Sequence, residues 1–91
     1  MRNNKLTPAH SFKRDLKKQS FELFLTPEWA EVIDCLNNGK KMSKERLDHD
    51  LKHDWKGCRE CHIKPDLLLI YEYKDAYVLL HRIGSHSELF G

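Results

Sequence analysis

Apolar residues near the start of the chain recur at a spacing that predicts one strand and one helix. Residues 4–7 predict a short strand, which ends at Pro8 because proline cannot donate to a sheet ladder. Over residues 9–19, Phe12 and Leu16 lie four positions apart, with basic residues between and after them. This pattern predicts an amphipathic helix whose basic face is exposed.

A second helix is bounded by start and stop signals. Thr26 is a favoured N-cap residue, Pro27 suits the first helical position, and Glu28 adds an acidic side chain to the first turn. Asn37-Asn38-Gly39 predicts the end of this helix. Residues 42–51 are polar and ambiguous, and one interpretation is a short third helix that ends in a loop.

The second half of the chain carries runs typical of β-strands. Strands are predicted over residues 58–63, 67–73 and 76–83, separated by turns at Lys64-Pro65-Asp66 and Lys74-Asp75. Three such strands in succession predict an antiparallel meander. Helices followed by strands indicate an α+β fold of order β-α-α-β-β-β, with the N-terminal helices packed on one face of a small antiparallel sheet. The opposite face would then be free for a site.

The length of the chain limits its organisation. Ninety-one residues can bury one modest core, so residues 1–91 are predicted to form a single domain. No apolar run approaches the roughly 18 residues that a membrane helix needs, which favours a cytoplasmic protein. The residues predicted for the core are Phe12, Leu16, Trp29, Ile33, Leu36, Leu69 and Leu79.

Positive charge is concentrated at the N-terminal end. Residues 1–20 contain six basic residues and one acidic residue, a local net charge of +5, whereas the whole chain carries +2. A basic surface of this kind, which includes Lys13, Lys17 and Lys18, favours a polyanionic partner. A solvated helix face is the alternative, since the total charge is far below that of a dedicated DNA-binding domain.

Residues 58–62 read Cys-Arg-Glu-Cys-His, which matches the pattern that attaches a c-type haem. On a strand, Cys58 and Cys61 would point to opposite faces and lie about 10 Å apart, too far for a disulfide. A C-x-x-C of the haem or thioredoxin type begins a helix, and the turn at residues 64–66 disfavours one. Haem attachment and thiol redox chemistry are therefore disfavoured.

A zinc site is the other interpretation of this region. His49 and His53 have the spacing H-x-x-x-H, but they precede the cysteines. The spacer between the two pairs is also far shorter than the roughly 12 residues of a zinc finger. We therefore expect neither a metal nor a cofactor.

Strand alternation places Cys58, Glu60 and His62 on one face of the predicted strand. A carboxylate and an imidazole two residues apart on a strand are neighbours, which suits acid–base chemistry. A solvated polar strand face is the alternative that these residues alone leave open.

Four segments of the second half resemble a known family in their identity and order. They are Asp48 to Leu51, Trp55 to Gly57, Arg59 to Asp66, and Arg82 to Gly91. With the basic first helix and the helices-then-meander order, they resemble the YafQ-type branch of the RelE/ParE toxin superfamily. The resemblance is close over residues 46–91 and agrees in layout over the first half.

The resemblance implies a RelE-like fold and a ribosome-dependent mRNA endonuclease, the toxin of a bacterial type II toxin–antitoxin pair. Its partners would be mRNA, the ribosome at the 30S A site with its 16S rRNA, and a cognate antitoxin. No membrane would be involved. The family needs no metal: the RNA 2′-hydroxyl attacks, leaving a 2′,3′-cyclic phosphate and a 5′-hydroxyl. Such a reaction requires a base, an acid and positive charge at the phosphate.

The same resemblance implies which residues carry the chemistry. His86 is expected to act as the general acid, and Glu60 or His62 as the base. Asp66 is expected to orient its neighbours, and Phe90 to stack on a base. The expected catalytic residues are His49, Glu60, His62, Asp66, Arg82 and His86, with His49 and Arg82 near the scissile phosphate. The expected substrate-binding residues are Phe90, Lys13, Lys17 and Lys18.

Close relatives carry Asp where this chain has Glu60. The extra methylene moves the carboxylate by about 1 Å, which in principle weakens a proton transfer. The alternative function is therefore a binding-only member of the superfamily, such as a gyrase inhibitor or a scaffold that pairs with an antitoxin. Such members lack the histidine set, so His49, His62 and His86 favour the ribonuclease.

Overall fold

The computed structural model describes residues 4–91, so residues 1–3, which include one of the N-terminal basic residues, lie outside it. Within residues 4–91, five strands and three α-helices form the fold. Their bounds are β1 Lys5–Pro8, α1 His10–Leu16, α2 Pro27–Asn38, β2 His49–Asp50, β3 Arg59–Lys64, β4 Leu67–Tyr73, β5 Tyr77–Gly84 and α3 His86–Phe90. Three 3₁₀ segments, Phe21–Leu25, Lys44–Arg46 and His53–Trp55, connect them. None of the helices in residues 4–91 is long and apolar enough to cross a membrane.

The strands form one five-stranded sheet in the order β1-β5-β4-β3-β2. The pairs β3–β4 and β4–β5 are antiparallel, which confirms the predicted meander. The sheet is mixed, however, because β1 pairs with β5 in parallel. A parallel partner is reached through a crossover, and here the helices and the meander supply it. The α+β fold is thus confirmed, with one correction to the expected antiparallel sheet.

Helix α2 begins and ends where the sequence predicts. The Trp29 amide donates to the Thr26 side chain at 3.2 Å, and Pro27 is the first helical residue. Gly39 ends the helix with a φ of 66°, a left-handed conformation that glycine adopts without steric cost. The helix packs on the sheet through Val32 and Leu36, both fully buried.

Helix α1 covers the part of β5 that β1 leaves unpaired. The Ser11 hydroxyl donates to the His81 carbonyl at 2.8 Å, and the Ile83 amide donates to the Asp15 carboxylate at 3.1 Å. Side chains of one helix therefore satisfy backbone groups along an exposed sheet edge, which would otherwise invite pairing with another chain.

Apolar residues are buried on both faces of the sheet. The helix-covered face holds the main core, which includes Phe12, Leu36 and Leu69 as predicted, with Leu16 and Trp29 packed against it. Ile33 and Leu79, also predicted for the core, are only half-buried. The opposite face carries a smaller cluster made of Cys58, Leu68, Ile70 and Leu89, with Leu51 and Trp55 packed against it. That face is therefore partly covered rather than free.

Two predictions about secondary structure were wrong. Residues 42–51 form a 3₁₀ segment and the two-residue strand β2 instead of a third helix. Strand β2 is held by its pairing with β3, His49 against Glu60 and Asp50 against Arg59, which no local pattern reveals. The first helix also ends at Leu16 rather than near residue 19.

Candidate active site

Glu60 lies between two histidines on the face opposite the main core. Its side chain is only 7% exposed, and its Oε1 atom is 3.6 Å from Nε2 of His49 and 3.5 Å from Nε2 of His62. His49 reaches it from β2, directly opposite in register, and His62 follows two residues later on β3. Glu60 and His62 are thus neighbours, as predicted, and His49 from β2 lies beside them.

The other ring nitrogen of each histidine faces a backbone carbonyl. Nδ1 of His49 is 2.7 Å from the Leu47 oxygen, and Nδ1 of His62 is 3.3 Å from the Pro65 oxygen. A carbonyl only accepts, so both Nδ1 atoms carry hydrogen. In neutral rings both Nε2 lone pairs would then face the Glu60 carboxylate. The structure therefore brings a carboxylate and two imidazoles together, the side-chain types that acid–base chemistry uses.

The loop before β2 positions His49. Leu47 has a φ of 48°, a left-handed conformation that is unusual for a residue with a side chain, and its carbonyl meets the His49 ring. Next to it, Asp48 accepts hydrogen bonds from Tyr71 and from Arg59, the latter at 3.3 Å. Burial and the Asp48 charge both raise the pKa of Tyr71, which therefore stays a hydrogen-bond donor. These contacts anchor the loop to β3 and β4.

Asp66 and His86 meet at the start of α3. The Asp66 carboxylate accepts from the His86 amide at 3.1 Å, so this acid contacts the histidine backbone rather than its ring. Ser85 and Glu88 form a reciprocal capping box that begins the helix. The ring centroids of His86 and Phe90 lie 5.1 Å apart, and both residues are exposed. The helix therefore presents an imidazole and an aromatic ring side by side.

Arg82 is held by Asp15 of α1. The Arg82 guanidinium donates to both Asp15 oxygens, at 2.6 and 3.1 Å, while Asp15 is 4% exposed. Burial alone would raise the pKa of Asp15, but hydrogen bonds from Arg82 and the Ile83 amide, with the Arg82 charge, hold that pKa below its usual range. The guanidinium is thus fixed in place, while 24% of the Arg82 side chain stays exposed.

The predicted RNA-contacting lysines are exposed at and after α1. Lys13 lies within the helix, and Lys17 and Lys18 directly follow it. Hydrogen bonds with Ser85, and to a smaller extent the charge of Lys18, lower the pKa of Glu88 in α3.

The sheet register shows which predicted residues share a row. His49 pairs with Glu60, Glu60 with Ile70, and Ile70 with Arg82. Leu89 of α3 packs on the cluster that contains Ile70. The structure thus groups the predicted residues in three places along one face and its edge: His49 with Glu60 and His62, Asp66 with His86 and Phe90, and Arg82 at the β5 edge.

Several contacts of this site have no signal in the sequence. Asp15 lies 67 positions before Arg82 in the chain, within a basic helix, where its sequence context indicates only a charge. The carbonyls of Leu47 and Pro65 carry no side-chain signature. Helix α3 was not predicted either, although Ser85 and Glu88 have the S-x-x-E spacing of a capping box, which is the signal that could have revealed it.

The two cysteines of the Cys-Arg-Glu-Cys-His stretch lie on opposite faces, as predicted. Cys61 belongs to the main core and Cys58 to the smaller cluster, and both are free thiols. Burial raises the pKa of both thiols, which is opposite to the lowered pKa of a redox-active cysteine. The structure therefore contradicts the thiol redox interpretation.

This helix-covered mixed sheet matches the structures of YafQ- and RelE-like toxins. The chain belongs to the YafQ family of bacterial toxins of type II toxin–antitoxin systems, whose profile matches residues 4–91. The resemblance drawn from the four sequence segments is thereby confirmed.

Three relatives illustrate the match. A YafQ relative from Haemophilus influenzae is 41% identical over 78 residues, 81% of this chain and 76% of its own length. The mRNA interferase toxin YafQ of Escherichia coli K12 is 39% identical over 56 residues, 62% of this chain and 61% of its own. In its complex with DinJ, E. coli YafQ superposes with a TM-score of 0.78 at 25% identity, covering 98% of this chain and 99% of that one.

A toxin from Helicobacter pylori is the third relative, after those from H. influenzae and E. coli. The crystal structure of its copper-bound mutant superposes with a TM-score of 0.81 at 42% identity, and the match covers 96% of this chain and 99% of that one. The expectation that this chain works without a metal therefore remains a prediction.

Proposed function

We propose that this toxin is a ribosome-dependent mRNA endonuclease that cuts the message in the ribosomal A site. The E. coli relative is named an mRNA interferase. The observation that carries the proposal is the Glu60 carboxylate, buried between the Nε2 atoms of His49 and His62. A buried carboxylate that lies against two imidazoles suits proton transfer to and from a substrate better than it suits structural packing.

The cluster would supply the general base. Glu60 or His62 takes the proton of the RNA 2′-hydroxyl, and the second imidazole compensates the charge that Glu60 carries. His49 is the most exposed of the three, with 51% of its side chain accessible, so it is the member best placed to approach a scissile phosphate. The two Nδ1 hydrogen bonds to carbonyls fix both rings during this step.

His86 would supply the general acid. Its ring is exposed at the start of α3, and Asp66 and the capping box hold the backbone beneath it. Phe90, next to that ring, would stack on an RNA base. Arg82, fixed by Asp15, would place positive charge at the phosphate as it becomes crowded.

The proposed reaction balances without a co-reactant. The 2′-oxygen loses its proton to the base and forms a bond to phosphorus, while the bond from phosphorus to the 5′-oxygen breaks. His86 donates a proton to that leaving oxygen. The products are a 2′,3′-cyclic phosphate and a 5′-hydroxyl, and no step needs a metal ion.

The proposal involves two kinds of partner, an antitoxin protein and RNA. The DinJ–YafQ complex of E. coli supports pairing of this toxin with a cognate antitoxin. The exposed lysines in and just after α1, Lys13, Lys17 and Lys18, would contact the phosphate backbone of mRNA or 16S rRNA. This contact would help to place the acid–base cluster in the A site.

Cleavage on purified ribosomes tests the proposal. An mRNA is positioned with a defined codon in the A site, and the fragment ends are mapped with and without ribosomes. We expect cleavage in that codon only when ribosomes are present, and a cyclic phosphate at the 3′ end. We also expect full activity with a chelator selective for transition metals, in a buffer that retains the Mg²⁺ that ribosomes require. An exposed histidine, His10, provides the matched control, and His10→Ala should cut as the unmodified protein does.

Intact mRNA in the presence of a folded protein would contradict the proposal. Binding to the antitoxin with no cleavage of any message would instead support the binding-only alternative. Loss of cleavage in the chelator, restored by one divalent metal, would overturn the metal-free mechanism alone.

A further inference from the structure

A further group of chemically active side chains, outside the candidate active site, lies on the sheet face away from the main core. Cys58 just before β3, Glu72 near the end of β4 and His81 of β5 are remote in sequence. The register pairs Arg59 with Tyr71, which sets Cys58 opposite Glu72. His81 is the extra residue where the β4–β5 register shifts, and its ring reaches Glu72 on the same face.

The three ligand atoms are close enough to hold one ion. Oε1 of Glu72 is 2.9 Å from Nε2 of His81 and 4.0 Å from Sγ of Cys58, and all three atoms lie within 4.8 Å of one another. In a tetrahedral zinc site, bonds of about 2.0–2.3 Å place the ligand atoms roughly 3.3–3.7 Å apart. Side-chain rotations that move these atoms by about 1 Å would therefore bring them to that spacing.

The surroundings are half-enclosed and fix the histidine. Cys58 is 7% exposed, and the Trp55 ring packs edge-on against His81 with 5.8 Å between ring centroids. The Cys58 amide donates to the Trp55 carbonyl at 2.9 Å, which ties the cysteine to the same loop. A site with one thiolate, one imidazole and one carboxylate has the donor set of a zinc site with an open fourth position.

We propose that Cys58, Glu72 and His81 form a Zn²⁺ site, with water as the fourth ligand. The ion would replace the proton that lies between His81 and Glu72 and the proton of the Cys58 thiol. It would cross-link β3, β4 and β5 at the end of the sheet next to the loop that leads from β2. The site does not depend on the ribonuclease activity.

One neighbouring charge opposes the ion. Nζ of Lys74 lies 3.0 Å from Oε2 of Glu72, the oxygen that the proposed site does not use. Lys74 is 39% exposed, so it can turn towards water when a divalent cation binds. Removing the charge of Lys74 should therefore strengthen metal binding. If the Lys74–Glu72 ion pair only stabilised the fold, removing the charge would leave Glu72 without a partner and would not strengthen metal binding.

Titration of the reduced full-length protein with Co²⁺ tests the proposal. Cobalt occupies tetrahedral zinc sites, and its bond to a thiolate gives an absorption band in the near ultraviolet that imidazole and carboxylate ligands do not give. We expect one equivalent to produce this band and Zn²⁺ to abolish it. Cys58→Ser should remove the band, and His81→Gln should weaken binding at least about tenfold. Lys74→Gln should tighten it.

Controls separate this site from other groups. Cys35→Ser should keep the band, because Cys35 lies in the main core on the opposite face. The double change His49→Gln and His62→Gln should also keep it, which excludes binding at the Glu60 cluster. Circular dichroism verifies the fold of each variant. Absence of the band in the unmodified protein, or its persistence in Cys58→Ser, would overturn the proposal.

Discussion

Oε1 of Glu60 lies 3.5 Å from Nε2 of His62, and the carboxylate is almost fully buried at this contact. Burial of a carboxylate is costly unless a partner compensates its charge. His49 and His62 flank Glu60, and an imidazole that carries a proton would provide that compensation.

The first prediction concerns the charge of Glu60. Glu60→Gln keeps the shape of the side chain but removes the proton acceptor, so ribosome-dependent cleavage should fall by about 10²- to 10⁴-fold. Glu60→Asp keeps the carboxylate and should retain measurable cleavage. Single-turnover rates for the two variants check this. Equal rates for Glu60→Gln and the unmodified protein would remove Glu60 from the mechanism.

The second prediction concerns Asp15. Asp15→Asn removes the charge that fixes Arg82 and should lower the free energy of unfolding at pH 7 by about 1–3 kcal/mol. Denaturation in urea measures this. The exposed ion pair Asp34–Lys40 is the control, and Asp34→Asn should have a much smaller effect because solvent screens that pair. A similar loss in both variants would contradict the special role of the buried carboxylate.

The third prediction concerns pH. Since the folded protein holds the pKa of Asp15 below its unfolded value of about 3.8, the unfolded chain binds the proton more readily. Asp15 therefore stabilises the fold above about pH 4, and this contribution is lost as the pH falls through the lowered pKa. The slope of the unfolding free energy against pH below about 4 should be shallower in Asp15→Asn. An unchanged slope would mean that other carboxylates account for the acid sensitivity.

The fourth prediction concerns the packing of α3. A Cβ on Gly84 would lie 2.9 Å from Oε1 of Glu88 and 3.3 Å from Leu89, so Gly84→Ala should disturb the capping box and displace His86. We expect a loss of about 0.5–2 kcal/mol in stability, the usual value of a helix cap, and a larger relative loss of cleavage. Thermal unfolding and cleavage rates, measured together, check this. Unchanged cleavage would show that the position of α3 does not control the acid.

The fifth prediction concerns the lysines in and just after α1. Neutralising Lys13, Lys17 or Lys18 should weaken binding to the ribosome or to RNA. The slope of the logarithm of the binding constant against the logarithm of the salt concentration should also become shallower, by about one unit for each phosphate contact that is lost. Lys40→Gln is the control, because Lys40 is already paired with Asp34 at 2.9 Å. An equal reduction of the slope in Lys40→Gln would point to a general charge effect instead of a binding surface.

Local patterns predicted the elements that carry their own boundaries. Strand β4 was placed correctly because an apolar run lies between two turns, and α2 because Thr26 and Gly39 mark its ends. Strand β2 could not be predicted, since only its pairing with β3 defines it. The contact of His81 with Glu72 depends on the register shift between β4 and β5. The contact of Asp15 with Arg82 joins residues 67 positions apart. Neither leaves a local pattern in the sequence. The site residues came from the family resemblance, and their grouping required the fold.

The most direct test of the central claim replaces the 5′-oxygen at the A-site cleavage position by sulfur. Sulfur leaves without protonation, so a substrate of this kind no longer needs a general acid. If His86 donates the proton, His86→Ala should fail to cut the ordinary message and should cut the sulfur-substituted one at nearly the rate of the unmodified protein. Equal loss on both substrates would show that His86 does not act as the acid and would contradict the mechanism proposed for this site.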